Sequence, residues 1–509
     1  MPSNHPREFR LPCWVWAAPP FFVASWLRLR GIGTLEAFVD EAGNILAALD
    51  PRVWAIVDPL GQGRPWLSFL FRPAGWFPIH ALESARMMCA SAGLCTMVAL
   101  GGTLYRLGGR AAALCGLWIW AVLPFAVFHE RLALQDPFVT ALLAWAMAIL
   151  VGGRQAEEKR RWIWLLAAGA FFGTALLQKI SAVFALPWLG LLYLALPGAM
   201  ARSAHRRALG MIAAGTFLLL LSVGPDLIQL GQHSTRFGSL PTLAADDFFG
   251  AALGRLKLWL AWYGGYGGWP LGVLSVAALV QGFRTRSRLV FAATLGAGLS
   301  LLVAALFYAR PFARYLLPDQ LPLVLFLALG LGTAFTAMTP RLARNALLVG
   351  VIVALGAWLN VSRQIAGSPA TAPLPPDEIS QYVTGPWSGR GLGEVRRFLA
   401  HYADKNNVRC LVLTHRFQRP GCYGLMLTEL ADPRIGVVPF TVYEPNELAS
   451  ARSGLLHASA GQPVAFFLLY EGSLYPAPPW LDAPGSRTHR VLTTPHGDRD
   501  DFTLFQFEP

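Results

Sequence analysis

The chain has 509 residues, of which 54% are hydrophobic and only 14% are charged. This composition excludes an ordinary soluble protein of this length. The formal net charge of +13 is compatible with nucleic-acid binding. However, the arginines stand in short loops between apolar runs rather than on one basic face, so composition and charge together indicate a membrane protein.

The first elements are an apolar run and a long loop. Residues 11–27 predict a membrane span, and because no small-x-small cleavage site follows it, we expect an uncleaved anchor. The loop, residues 28–84, contains a stretch at 35–49 with apolar side chains at helical spacing. Asp40 and Glu41 fall off this apolar stripe. The pattern predicts an amphipathic helix lying flat on the membrane surface, with two carboxylates where lipid meets water.

Ten further apolar runs predict spans, which gives eleven in total. They lie at residues 85–104, 111–128, 138–151, 162–177, 180–196, 208–223, 263–283, 289–307, 315–337 and 345–359. Basic residues collect in every second short loop, at Arg106 and Arg110, Arg154 and Lys159 to Arg161, Arg202 to Arg207, Arg284 to Arg288, and Arg341 and Arg344. With the N-terminus inside, this is the positive-inside pattern, and it places the first loop and the C-terminus outside.

The composition changes after residue 361. Residues 362–376 predict a linker, and residues 377–509 predict a small α/β domain, with a helix near 391–402 and strands near 410–414, 464–469 and 502–507. Cys410 and Cys422 lie in this domain. Their pairing in a disulfide stays open, with free thiols slightly favoured. The sequence shows no CxxC or metal-ligand spacing.

Charged residues also collect at the predicted outer ends of the spans. The acids are Asp40, Glu41, Glu130 and Asp136; the cations are Arg64, Arg131, Lys179, Arg310 and Arg314; and His129 and Tyr315 lie beside them. One isolated cation at the membrane edge usually contacts only lipid head groups. Five on one side, beside acids, favour a phosphate-binding site, because cations stabilise the charge on a departing oxygen.

The acids have two interpretations each. Asp40 and Glu41 either form a solvated polar face without chemistry, or share a partly desolvated site. In the second case both carboxylates resist ionisation, and the raised pKa suits Asp40 to act as a general base. Asp136 precedes Pro137, so the pattern also predicts a helix N-cap at Asp136, which is compatible with catalysis.

These stretches, in this order, resemble the GT-C superfamily of polyprenyl-phosphate-sugar glycosyltransferases. The most similar branch contains protein O-mannosyltransferases and lipid A aminoarabinose transferases. The resemblance covers roughly residues 20–340 and rests on LRLRGIGTLEAFVDEA, GRPWLSFLF, ARMMCASAGLCTMVALGGTLYRLGGRAAAL, ERLALQDPF, LLQKISAVFALP and ARPFARYLLPDQLP. It implies many transmembrane helices, a catalytic outer loop, and sugar transfer with inversion at the anomeric carbon.

The resemblance also implies roles for individual residues. Asp40 is implied as the base on the acceptor hydroxyl, with Glu41 and Asp136 as supporting acids. The donor phosphate is implied to contact the cations Arg64 and Lys179, together with Arg310 or Arg314. The sequence departs from the family at Arg64-Pro65-Trp66, which replaces Lys-Pro-Pro, and at Gly63, where some aminoarabinose transferases have Glu. This departure weakens a metal assignment, so we predict no cofactor and no required metal.

The sequence therefore predicts an α-helical polytopic membrane protein of GT-C type with about 11 transmembrane helices in residues 1–361. Its predicted location is the inner (plasma) membrane, with the C-terminal α/β domain outside. Predicted partners are a polyprenyl-phosphate-linked sugar, a glycan, lipid or protein acceptor, and membrane lipids, but no nucleic acid.

Three alternatives stay open. A transporter predicts internal repeats and charges near the bilayer midplane. A non-catalytic scaffold predicts a solvent-facing Asp40 without a nearby cation. The third is an enzyme that acts on lipid-linked oligosaccharide diphosphates.

Overall fold

The computed structural model describes residues 13–50, 66–77, 80–196, 210, 212–214, 216–217, 248–307, 312–339, 341–415, 419–440, 463–471, 488–496 and 499–507. These residues form a helical part, which carries the predicted membrane spans, and a C-terminal domain built on a five-stranded sheet.

The helical part consists of helices that alternate with short turns. They are α1 (Cys13–Leu29), α2 (Val39–Leu49), α3 (Leu67–Phe71), α4 (Ala81–Val122), α5 (Pro124–His129), α6 (Asp136–Gln155), α7 (Glu158–Gln178), α8 (Leu186–Ala195), α9 (Phe248–Thr285), α10 (Arg288–Phe307), α11 (Gln320–Ala337) and α12 (Arg341–Gly367). Short 3₁₀ helices cover Arg72–Trp76, Ile180–Ala185 and Ala313–Leu316. Among the described residues, 5 helices are long and apolar enough to cross a membrane, namely α4, α6, α10, α11 and α12.

Glycines interrupt the two longest helices. Gly109 in α4 has φ 73° and Gly268 in α9 has φ 54°, a region that side chains with a Cβ rarely adopt. Leu104 packs directly on Gly116. In one straight helix these two residues would be about 18 Å apart. The chain therefore doubles back at Gly109, so that α4 supplies the span predicted at 85–104 and most of the span predicted at 111–128, which ends in α5.

Helix α2 differs from the prediction. It begins at Val39 rather than at residue 35, and residues all around it are buried, including Glu41 and Asn44. The Phe38 amide donates to Glu41 Oε2 at 3.0 Å, which caps the first turn. Protein covers α2 on both sides, so a polar face fully exposed to solvent, one of the two interpretations of Asp40 and Glu41, is not observed.

Other boundaries also differ. Helix α9 begins at Phe248, well before the predicted span at 263–283, and α12 continues to Gly367, so the predicted linker starts as helix. The predicted span at 208–223 lies largely outside the described residues.

The C-terminal domain alternates helices and strands before it ends in a hairpin. After short helical segments at Pro376–Glu378 and Ile379–Thr384, it contains α13 (Leu392–Asn406), β1 (Arg409–His415), α14 (Arg419–Ala431), β2 (Ile435–Phe440), β3 (Val464–Tyr470), β4 (Thr488–His496) and β5 (Arg499–Phe507). The sheet order is β2-β1-β3-β5-β4, with β1 parallel to β2 and β3, and β5 antiparallel to β3 and β4.

The three predicted strands correspond to β1, β3 and β5, whereas β2 and β4 were not predicted. The small C-terminal α/β domain is thus confirmed. Cys410 and Cys422 are buried and are not joined to each other, so the disulfide left open by the sequence is not formed. Helix α14 packs on α2, which joins this domain to the first loop.

Candidate active site

Residues from four distant parts of the helical region meet at one end of it. Helix α2 carries Asp40, α6 begins with Asp136, α7 ends just before Lys179, and the 3₁₀ helix Ala313–Leu316 carries Arg314. Helices α6 and α7 pack closely along the chain reversal between them. The start of α6 and the end of α7 therefore lie side by side, which places Asp136 next to Lys179.

An ion pair joins Asp40 to Arg314. Arg314 Nη2 donates to Asp40 Oδ2 at 2.6 Å, and Arg314 Nη1 donates to the Tyr382 hydroxyl at 2.8 Å. The Arg314 side chain is 3% exposed, whereas that of Asp40 is 36% exposed. Asp40 therefore keeps an accessible side while a buried cation holds one of its oxygens. An accessible carboxylate of this kind is able to accept a proton from a bound hydroxyl.

A second ion pair lies beside the first. Lys179 Nζ is 2.6 Å from Asp136 Oδ1 and 3.7 Å from the centre of the Tyr315 ring. The Arg314 guanidinium carbon is 5.4 Å from the same ring centre. The Tyr315 ring thus contacts both cations and keeps them close together. Two neighbouring cations at one end of a helical membrane protein are suited to bind a phosphate group.

Asp136 is not a helix cap. It is the first residue of α6, and Gln135 occupies the cap position, so the predicted N-cap role was wrong. The carboxylate is instead free to orient Lys179, which it does through the ion pair.

Glu41 occupies a different environment from Asp40. Its buried carboxylate accepts hydrogen bonds from Arg86 Nε at 2.8 Å, Arg86 Nη2 at 2.7 Å and the Ala133 amide at 2.6 Å. These contacts tie α2 to α4 and to the turn before α6. The two adjacent carboxylates therefore do not share a site, contrary to the interpretation in which they lie together in one partly desolvated site.

Glu130 and Arg131 contact the ends of helices. Arg28 Nε is 2.5 Å from Glu130 Oε2, and Trp120 Nε1 donates to Glu130 Oε1 at 3.1 Å. The guanidinium of Arg131 donates to backbone carbonyl groups in the last turn of α1, just after α1, and at the end of α12, at residues Leu27, Arg30, Gly31 and Ala366. Such carbonyls lack partners within their helix. This geometry favours a structural role for Arg131.

The remaining predicted residues are placed as follows. His129 is fully buried, and its Nε2 lies 3.4 Å from Glu378 Oε2. Arg64 and Arg310 lie outside the described residues.

Sequence reasoning missed the partners Tyr382 and Arg86. Arg86 had a usable signal, because it is a charged residue inside a predicted span. Tyr382 had none, since it lies in a polar stretch without periodicity.

No cluster of three His, Cys, Asp or Glu side chains able to hold a metal ion occurs among the residues that the structure describes. The absence of a required metal stays a prediction.

Comparison with known proteins agrees with this architecture. Residues 54–199 match the family model for dolichyl-phosphate-mannose-protein mannosyltransferase. The structure is similar to ArnT from Cupriavidus metallidurans in the apo state, with a TM-score of 0.57 and 14% identity over 97% of both chains. It matches ArnT bound to undecaprenyl phosphate with a TM-score of 0.57 and 13% identity, again over 97% of both chains.

A weaker match is the Archaeoglobus fulgidus oligosaccharyltransferase, with a TM-score of 0.48, 14% identity, and coverage of 90% of this chain and 68% of that one. A comparison with curated proteins gives no match. The chain thus has the same fold as ArnT, as its sequence resemblance predicted. With its long apolar helices, it is a multi-pass membrane protein.

Proposed function

We propose that this chain is an inverting glycosyltransferase. It moves a hexosyl or pentosyl group from a polyprenyl-phosphate carrier to a hydroxyl of a glycan, lipid or protein acceptor. The observation that carries the proposal is the accessible Asp40 held by buried Arg314, next to the Asp136–Lys179 pair. The mannosyltransferase family match and the ArnT structure with undecaprenyl phosphate support this class of donor.

The proposed reaction is a single displacement. Asp40 takes the proton of the acceptor hydroxyl while the oxygen of that hydroxyl bonds to the anomeric carbon. The bond from that carbon to the phosphate oxygen breaks on the opposite side, and its electron pair leaves with the phosphate. Arg314 and Lys179 stabilise the negative charge that develops there. A general base typically contributes about 10²–10⁴-fold in rate.

The distribution of charge supports an extracytoplasmic site. Helix α7 runs from Glu158 to Gln178, a length of about 30 Å. Its first turn belongs to a basic loop that includes Arg154 and Arg161, and Lys179 follows its last turn. Because basic loops stay in the cytoplasm, the end with Lys179 faces outward.

The rival functions fit these contacts less well. A transporter requires charges near the bilayer midplane, whereas the pairs described above lie at one end of the helices. A scaffold predicts an Asp40 without a cationic partner, but Arg314 lies 2.6 Å away.

The experiment is gene deletion followed by mass spectrometry of envelope glycans and prenyl-linked sugars. We expect one glycan to lose a sugar and a polyprenyl-monophosphate sugar to accumulate; an accumulated diphosphate would favour the third alternative. Wild-type protein should restore the glycan, and so should Glu158→Gln, an exposed acid at the far end of α7. Asp40→Asn should not. Full restoration by Asp40→Asn would contradict the assignment of the base.

A further inference from the structure

The beginning of the C-terminal domain is anchored on helix α9. Pro375 packs on Gly265, where an added Cβ would lie 3.0 Å from the proline ring. Trp262 Nε1 donates to Asp377 Oδ2 at 3.3 Å, and the Tyr266 hydroxyl donates to Glu378 Oε2 at 2.7 Å. About one turn of α9, from Trp262 to Tyr266, thus holds the segment that precedes Tyr382.

Tyr382 reaches from this segment into the candidate active site. Its side chain is 1% exposed, and its ring centre lies 4.6 Å from that of Phe38 and 5.5 Å from that of Phe128. Phe38 directly precedes α2, the helix that carries Asp40. The Tyr382 ring is therefore fixed by the first loop and by α5.

The Tyr382 hydroxyl fixes one side of the Arg314 guanidinium. Arg314 Nη1 donates to this hydroxyl at 2.8 Å, while Nη2 donates to Asp40 at 2.6 Å. An arginine side chain has many rotamers, and a planar guanidinium bound at both terminal nitrogens keeps only one orientation. Removal of the hydroxyl would leave Nη1 without this hydrogen bond, so that the hydrogen bond to Asp40 and the rings around the guanidinium would have to orient the cation.

We infer that Tyr382 is a positioning residue that acts on the donor phosphate through Arg314. The C-terminal domain thereby helps to build the donor site, because docking of its first segment on α9 sets the orientation of the cation beside Asp40. This inference rests on the proposed function, in which Arg314 binds the donor phosphate. Tyr382 itself touches no substrate.

The test measures binding of undecaprenyl phosphate to the purified full-length protein. The variants are Tyr382→Phe, Arg314→Gln and the double variant. A matched control is Tyr402→Phe, which removes the hydroxyl of a partly buried ring that is bonded to the side chain of Gln506 at 2.8 Å. We expect Tyr382→Phe to weaken binding about tenfold, as for loss of a hydrogen bond to a charged group. Tyr402→Phe should bind as the wild type does.

The double variant separates positioning from packing. If Tyr382 acts through Arg314, the double variant binds no more weakly than Arg314→Gln alone, because the two losses share one cause. The inference is wrong if the two losses of affinity multiply in the double variant. It is also wrong if the Tyr382→Phe protein binds undecaprenyl phosphate normally.

A second measurement does not depend on any ligand. The amides of Tyr315 and Leu317 close the turn around Arg314, with bonds of 3.0 and 3.1 Å. Tyr382→Phe should cause a loss of hydrogen-exchange protection there, and Tyr402→Phe should not. Unchanged protection in Tyr382→Phe refutes positioning. If the wild-type protein does not bind undecaprenyl phosphate, the proposed class of donor is wrong. The hydrogen-exchange result still decides the role of Tyr382 in that case.

Discussion

Asp40 and Glu41 are chain neighbours with opposite surroundings. Side chains of successive helical residues point about 100° apart. Asp40 therefore meets Arg314 at an accessible position, while Glu41 points inward to Arg86. The sequence predicted that this acid pair matters. The family resemblance implied Asp40 as the base, but the sequence did not predict that Glu41 pairs with Arg86, because that contact depends on the packing of α4 and of the domain that covers α2.

We expect Glu41→Gln to destabilise the fold. The substitution leaves Arg86, which is 1% exposed, without its charged partner. An unpaired buried charge typically costs about 3–5 kcal/mol. Thermal unfolding of the detergent-purified protein measures the loss.

The control for this prediction is Glu36→Gln. Glu36 pairs with Arg396 at 2.8 Å, but both side chains are about one-third exposed, at 29% and 32%. Such pairs contribute about 0–1 kcal/mol. Equal melting temperatures for the two variants would show that Glu41 does not anchor α2.

The periodicity of apolar residues predicted the helices and strands that are buried on one face or on all sides. It missed those whose burial depends on contacts with distant parts of the chain. The long apolar helices α6, α7 and α10 were found with nearly correct bounds. Among the described strands, β4, THRVLTTPH, lies at the sheet edge and pairs with β5 on one side, so its sequence needs no clear apolar face. The burial of α2 depends on α14, far along the chain.

The segment Pro376–Glu378 makes stability depend on pH. Burial raises the pKa of Glu378 to about 7, against the opposing influence of the Tyr266 hydrogen bond and Arg314. The unfolded chain has the ordinary value of about 4.3. The folded state holds this proton more tightly than the unfolded chain does. The stabilisation that the protonated Glu378 carboxyl gives to the folded state is therefore complete below about pH 4 and is lost as pH rises through 7.

We therefore expect the melting temperature to fall between pH 5 and pH 8, by an amount equivalent to about 3 kcal/mol at most. In Glu378→Gln the melting temperature should fall much less over this pH range, since the amide stays neutral. His129, Tyr266, Arg314 and Asp377 also face this carboxyl, and they remain in the variant. The control variant is Glu394→Gln, at an exposed position, and its melting temperature should fall with pH as that of the wild type does. A steep fall in Glu378→Gln would assign the pH dependence to another group.

Across the full chain, the candidate site is assembled from residues that are far apart in sequence. Asp40 and Arg314 are separated by 274 positions. Tyr382, which contacts Arg314, lies in the first segment of the C-terminal domain. The sequence supplied the residue types, their order and the family resemblance, which together predicted the fold. The contacts required the packed structure, because no local pattern pairs a carboxylate with one particular arginine.

The direction in which the chain crosses the membrane is testable with cysteine variants. Glu394 is exposed on α13 of the C-terminal domain, and Glu158 is exposed at the start of α7, next to the basic loop. In a background without the native cysteines, a membrane-impermeant maleimide added to intact spheroplasts should label Glu394→Cys. It should label Glu158→Cys only after permeabilisation, because basic loops remain in the cytoplasm. The reverse pattern would put Asp40 and Arg314 on the cytosolic side, where extracytoplasmic sugar transfer is impossible.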